Sequence, residues 1–531
     1  MTRARPAMSR SSHAGGIQPS VAWILGIDQL PGHIRPGKVA LLWSDRQRTY
    51  GELRDRALRL AAGLRRRGLH HGDRVATYLL SRGETFELYF ACAYAGLTLV
   101  PANFRLTARE LAHVLHDSGA RLLLTQDDLA ETARTAVADL DGLEVLTLAD
   151  DDAGPEYDAL LDDGPLPPPY EPADPHIVLY TSGTTGMPKG VMLGHHSIIW
   201  FAMQQATLYP SWDGSMVNFI NAPLYGAAMN EQTIPSFLVG ATVAIMPSRG
   251  WSPERFARLA DRWKATHVVI FPSMMEPLLE ADQRRAIGLS TLKVVFTGGE
   301  NCPASLMRRF RSRWPHASLH VLYGMTESGI ITECADDEIE RFPESVGRPF
   351  GLQAVRVVDD EGNDLPVGDV GEVWTAGGAV CSGFLGAPEL TAQVLRDGWL
   401  ATGDLGRFDE HGHLYIEGRK KDMIISSGQN IYPAEIENVL AQHGELFEWT
   451  VIGVPDEERG EAVCAVVVAK ERSAVTADDV LEHLVANLAS YKKPKHIVFV
   501  DGLPRNAAGK VLKDRLRKQI RTAAERAGRV G

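Results

Sequence analysis

The run Tyr180 to Val191, YTSGTTGMPKGV, holds the densest set of anion-binding residue types in the chain. A strand-like stretch ends in Ser, Thr and Gly, then in Pro188-Lys189-Gly190. Gly183 and Gly186 let backbone amides close around an anion. The hydroxyls of Thr181, Ser182, Thr184 and Thr185 donate further hydrogen bonds, and Lys189 adds charge. This is the physics of a polyphosphate loop. It is not a Walker A loop, because Lys189 precedes Gly190 instead of Ser or Thr. A Gly/Ser/Thr cluster alone would read as a polar surface loop; twelve residues in this order argue against that. Further along, Glu327 is a carboxylate in a Gly/Thr-containing loop, which suits a hard cation such as Mg²⁺ whose other sites lie on phosphate and water. Asp404, in Thr402-Gly403-Asp404, fits a ribose, since two vicinal hydroxyls can donate to one acceptor-only group. Taken singly, each would pass for an ordinary solvated loop or turn residue.

The elements that must position these residues alternate between helix and strand. From Tyr50 to Gly68 an apolar stripe of Leu53, Ala57, Leu60 and Leu64 predicts a helix, with Gly68 as its stop. Thr107 to Glu110 has capping-box spacing and opens a second helix with Leu111, Val114 and Leu115 on one face. Arg74 to Leu80, Arg121 to Thr125 and Ile177 to Tyr180 read as strands. Such alternation predicts an α/β fold with a parallel sheet covered on both faces. The Asp/Pro/Gly-rich stretch Asp150 to Asp174 reads as a surface excursion, and Gly362 to Gly418 as a small β-rich subdomain. Beyond it, a helix starting at Pro433 and strands at Trp449–Val454, Ala462–Ala469 and His496–Val500 predict a separate α+β unit.

Composition bounds the class. The chain has 531 residues, 44% of them hydrophobic and 23% charged, as in soluble multidomain proteins. Lys+Arg 55 against Asp+Glu 67 leaves a net charge of −12, which argues against general binding of nucleic acid or anionic membrane. The five cysteines are scattered, with no Cys-x-x-Cys, so a zinc or disulfide framework is not expected. No apolar run reaches the ~18 residues of a membrane span, and residues 1–16 lack a signal-peptide core. A cytoplasmic protein with a frayed tail at 1–16 is the expectation.

The phosphate-loop segment resembles that of the adenylate-forming superfamily, which includes acyl-CoA synthetases, adenylation domains and firefly-type luciferases. Tyr323 to Glu327 (YGMTE), Thr402 to Asp404 (TGD), Gly418 to Asp422 (GRKKD) and Gly509-Lys510 resemble further motifs of that family, in the same order. The likeness covers roughly residues 35 to 515. It implies a large AMP-binding body (17–417), a hinge (418–421) centred on Lys421, and a smaller mobile lid (422–531). It also implies roles. Glu327 would hold Mg²⁺, Thr326 would sit beside the α-phosphate, and Tyr323, with Gly324 next to it, would stack on adenine against the Gly299-Glu300 wall. Asp404 and Arg419 would reach the ribose and phosphate, and Thr184 and Lys189 the polyphosphate. Lys510 would neutralise charge as a carboxylate attacks ATP. Gly428 would admit the pantetheine of coenzyme A.

The implied activity is ATP-dependent activation of a small carboxylic acid, followed by transfer to a thiol. The thiol acceptor is coenzyme A, with a carrier-protein phosphopantetheine as the rival and a non-catalytic nucleotide-binding module as a more distant one. A homodimer stays open. The chain departs from the family at Asn221 to Asn230, where Gly226 occupies a position many relatives give to His. Tyr225, Gly226, Ala227 and Asn230 are expected to line a widened acyl pocket for a branched, cyclic or aromatic acid, with Asn230 and Glu231 offering polar contacts. His195 and His196, adjacent on a helix, point apart and are not expected to bind metal.

Overall fold

The apolar stripes and short apolar strands close into two largely parallel sheets covered by helices, as the alternation requires. The structure is a computed structural model that describes residues 20–25, 34–150, 153–162, 164, 171–182, 187–456, 458–505 and 511–527. The expected tail at 1–16, the loop residues Gly183 to Gly186, and Lys510 lie outside the described residues.

In one sheet of seven strands, Ile177–Ser182, Thr98–Pro101, Arg74–Tyr78, Ala120–Gln126 and Glu144–Leu148 run parallel. Pro188–Leu193 turns back antiparallel on the edge of this set. In a second sheet of nine, Ser318–Met325, Val294–Gly298, His267–Val269, Val217–Ile220, Thr242–Ile245 and Val39–Trp43 are parallel, flanked by antiparallel strands. The predicted stripe holds: Leu53, Ala57, Leu60 and Leu64 of helix Tyr50–Arg66 are fully buried. The capping box at Thr107 and Glu110 is formed at the head of helix Ala108–Ser118. All five cysteines are free and buried, and no helix of the described residues is long and apolar enough to cross a membrane.

The β-rich subdomain begins earlier than its turn signals implied. Its five antiparallel strands start at Ala354–Val358 and end with Leu414–Arg419. A single helical turn, Lys420–Asp422, leads to the last sheet. There Leu446–Asp456 and Gly460–Ala469 form a long hairpin flanked by Ile424–Ser426 and His496–Phe499. Helices Pro433–Leu440 and Ala477–Asn487 supply one of its cores through Ile436, Leu440, Val480 and Leu484. Leu516 of helix Lys513–Ala527 joins the other.

The stretch Asp150 to Asp174 is more than a surface excursion. Its helical turn Gly154–Asp158 drives Tyr157 into the main core, where the phenol donates to Glu87 Oε2 at 2.8 Å. Glu87 also accepts from Arg56 at 2.8 Å and Arg48 at 3.4 Å, and neighbouring Glu84 pairs with Arg46 and Arg82, each at 2.9 Å. Burial by itself raises the Glu84 carboxyl, but the Arg82 and Arg46 guanidiniums outweigh it and hold its pKa below the usual carboxylate range. These buried carboxylates bolt helix Glu84–Ala95 to its surroundings.

Removing one member of a buried ionic cluster strands the others. Glu87→Ala is therefore expected to lower the unfolding free energy in urea by about 3 kcal/mol, and a loss below about 1 kcal/mol would contradict this. Because Glu84 is depressed in the folded state, its stabilisation is present at neutral pH and fades as pH falls through the carboxylate range.

Candidate active site

Parallel strands carry their loops to one end, and ligands of such sheets bind at the carboxyl ends of the strands. Val294–Gly298 and Ser318–Met325 are neighbours in register, Gly298 opposite Leu322, so Gly299-Glu300 and the YGMTE segment emerge side by side. Gly299 has φ of +77°, a turn that a side chain would strain. At Gly324 the constraint is space: a Cβ there would run into the carbonyl oxygen of Gly329 on the returning strand. The Glu300 carboxylate is turned to a neighbouring helix. It accepts from the backbone N–H of Ser273 at 3.1 Å and the Ser273 hydroxyl at 3.2 Å, capping helix Pro272–Arg284.

The best-defined polar constellation joins three of the predicted residues. Asp404 and Arg419 face one another across two antiparallel strands. Arg419 Nε lies 3.2 Å from Asp404 Oδ1, and the Tyr323 phenol donates to Asp404 Oδ2 at 2.8 Å. The Asp404 backbone N–H in turn donates to the Thr402 hydroxyl at 3.1 Å. Burial, and then the adjacent Asp404 carboxylate, push the Tyr323 phenol well above its ordinary pKa, so it stays a donor. Its ring packs beside Val357, Val373 and Leu414. Asp404 is 12% exposed in its side chain and Arg419 40%, so the guanidinium reaches solvent while the carboxylate holds it.

Ile177–Ser182 and Pro188–Leu193 pair antiparallel. Thr181 stands opposite Lys189 and Ser182 opposite Pro188, which places Lys189 on the returning strand instead of in the loop. On the outgoing strand, next to Thr181, the Tyr180 phenol donates to Asp117 Oδ2 at 2.6 Å.

Beside these elements lies a small pocket lined by Ile198, Phe201, Ala227, Asn230, Glu231 and Thr326 among others. Of the expected acyl-pocket residues, Ala227 and Asn230 line it. Tyr225 instead packs edge-on against Phe104 at 5.7 Å, and a Cβ on Gly226 would meet nothing within 4 Å. Thr326 belongs to both the YGMTE turn and this pocket, so the two regions share a wall.

Several contributors left no signal in the sequence. The Tyr89 phenol, 141 residues away, donates to Asn230 Oδ1 at 2.8 Å. Ile198 and Phe201 come from the helix after Pro188–Leu193. His195 is buried, and its Nδ1 accepts from the Val21 backbone N–H at 3.1 Å, while His196 is exposed, so the pair does point apart.

The remaining predicted residues are not gathered here. Lys421 is exposed, and so is Gly428, where a Cβ would meet nothing within 4 Å. Helix Pro433–Leu440 does reach the site: Asn301, directly after the Gly299-Glu300 wall, donates to Asn438 Oδ1 at 2.8 Å. Glu327 is half-buried, and its carbonyl accepts from the Cys381 N–H at 2.7 Å. Among the described residues no three His, Cys, Asp or Glu side chains form a metal cage. A single carboxylate beside a Thr hydroxyl is the donor set that Mg²⁺ accepts when phosphate and water complete its shell.

Comparison with known proteins bears on this geometry. Residues 32–385 match the AMP-binding enzyme family, and residues 435–510 match the AMP-binding enzyme C-terminal domain. The chain is 35% identical to indoleacetate–CoA ligase of Aromatoleum aromaticum, over 93% of this chain and 97% of that protein. It is 36% identical to the fatty acid–[acyl-carrier-protein] ligase ScoC of Streptomyces coeruleorubidus, over 91% and 94%. The solved structure of ATP-bound MatB from Rhodopseudomonas palustris superposes with a TM-score of 0.85 at 31% identity, covering 94% of this chain and 99% of that one.

Tyr323→Phe removes one donor from Asp404 while keeping the ring. AMP affinity by titration calorimetry is expected to fall roughly fivefold, the weight of about 1 kcal/mol, with the melting temperature little changed. Unchanged affinity would show that the phenol plays no part in ordering Asp404 for a nucleotide.

Proposed function

The chain belongs to the AMP-binding enzymes, and on that premise we propose that it is an ATP-dependent acid–thiol ligase that makes an acyl-adenylate and passes the acyl group to coenzyme A. The observation that carries this reading is the shared wall: Thr326 joins the elements read as the nucleotide side to a small, largely apolar pocket read as the inner end of the acyl site.

In the first half-reaction a carboxylate oxygen bonds to the α-phosphorus of ATP, and the bond from that phosphorus to the bridging oxygen breaks, releasing pyrophosphate. In the second, a thiol sulfur bonds to the acyl carbon, the thiol proton is lost, and AMP leaves with the former anhydride oxygen. The protein's part is to position reactants, neutralise charge and exclude water. Asp404, held by Tyr323 and Arg419, presents its remaining lone pairs to the ribose hydroxyls. Gly299, Glu300 and Gly324 border the adenine through backbone, and Thr181, Ser182, Gly183, Thr185 and Gly186 cradle the phosphates. Lys189, Thr184 and Lys510 offset charge at the α-phosphate. Glu327 would hold Mg²⁺, which when bound spreads phosphate charge and fixes phosphate geometry.

Gly418 to Lys421 acts as the hinge between the body (17–417) and the lid (422–531). It joins two sheets through one short turn, which supports a rotation that withdraws Lys510 and brings Gly428 to the thiol channel. A carrier-protein phosphopantetheine is the second reading of the acceptor, favoured by the likeness to a ligase that acts on an acyl carrier protein. Thioester yield with free coenzyme A against a phosphopantetheinylated carrier decides between them.

Lys510→Ala is expected to abolish acid-dependent pyrophosphate release while largely sparing thioester formation from supplied acyl-adenylate; equal loss of both steps would refute the role. Gly226→His, introduced into open space, is expected to leave the melting temperature unchanged and to narrow the range of acids accepted. An unaltered substrate range would show that Gly226 does not widen the pocket.

A further inference from the structure

The acyl pocket contains polar groups that the adenylation chemistry does not use. Glu231 lines it, half-buried, and its carboxyl has no hydrogen-bond or ion-pair partner among the described residues. Burial pushes this carboxyl up to about 7. The next residue back, Asn230, is buried and held by the Tyr89 phenol through Oδ1, leaving its Nδ2 unpaired among the described residues.

The backbone explains why two adjacent side chains both meet the pocket. Met229–Thr233 forms a π-helical turn, wider than an α-turn. Pro235 has no N–H to offer the Glu231 carbonyl four residues before it. Gln205 Nε2 donates to that carbonyl instead, at 3.0 Å, and Asn218 Nδ2 donates to the Gln232 carbonyl at 2.6 Å. Three residues from outside this turn thus brace it, Tyr89 through a side chain and Gln205 and Asn218 through carbonyls. The rest of the pocket is largely apolar: Leu193, Ile198, Phe201, Ala227 and Ala379 line it with the hydroxyl residues Ser197 and Thr326, and among the described residues no cation lines it with Glu231. An unpartnered carboxyl in apolar surroundings is costly unless a ligand supplies the missing hydrogen bond.

We propose that Glu231 is a specificity residue that selects carboxylic acids whose acyl part carries an O–H or N–H donor over hydrocarbon acids of the same shape, an inference that rests on the ligase reading above. The carboxyl of Glu231 accepts the donor hydrogen, and Asn230 lies next to it to receive a lone pair of the same substituent.

The test is acid-dependent pyrophosphate release by the full-length protein with hexanoate, phenylacetate and cinnamate in plain, hydroxylated and aminated forms, the substituent moved along the acyl part. The wild type is expected to favour a donor-bearing acid over its plain counterpart by roughly tenfold or more in kcat/KM. Glu231→Leu should erase that ratio while still adenylating the plain acid. Glu231→Gln, nearly the same in shape and still an acceptor, should keep the preference for hydroxylated acids and lose any additional preference for aminated ones. A ratio unchanged in Glu231→Leu overturns the inference, as does a wild type that turns over plain and substituted acids equally; both leave the ligase reading standing. No pyrophosphate release with any acid overturns the ligase reading, and this inference with it.

Discussion

The carboxylate of Asp404 is the point on which the site depends. One oxygen accepts from Tyr323, at the end of a strand of the large parallel sheet, and the other meets Arg419, the last residue before the connection to the C-terminal unit. A single acceptor-only group thus ties together the nine-stranded sheet, the β-rich subdomain and the connection to the last sheet. Each partner takes one lone pair of one oxygen, so donors from a ligand can still be accepted. Because the carboxylate is mostly shielded from water while the guanidinium is not, the interaction is stronger than a surface pair and still open to a polyanion.

This arrangement explains how a chain of net charge −12 handles a nucleotide. Attraction is local, made by a few cations and by backbone amides at strand ends. The acidic remainder disfavours indiscriminate polyanion binding. The buried Glu84 and Glu87 cluster works differently: its charges face arginines, where they fix packing.

The pocket beside Thr326 is bordered by a local irregularity. A π-helical turn is followed by Pro235, which offers the Glu231 carbonyl no helical donor, and Gln205 and Asn218 donate to the Glu231 and Gln232 carbonyls. A regular helix would fan Asn230 and Glu231 about 100° apart. Here both reach one cavity, which Ala227 also lines.

Much was legible in the sequence itself. The stripes of helix Tyr50–Arg66, the capping box at Thr107, the helix from Pro433 and the order of the motifs depend on spacing along the chain, and local rules govern them. Motif residues could be named because each carries its chemistry in its type. What the tertiary structure alone decided is what those residues touch. Glu300 caps a helix with its carboxylate, Lys189 stands on a returning strand, Tyr157 leaves an apparently exposed stretch for the core, and Tyr89 supports Asn230 from 141 positions away. Spacing fixes which face of an element a residue occupies, whereas the partner across that face is set by how whole sheets and helices pack, and no local pattern encodes it.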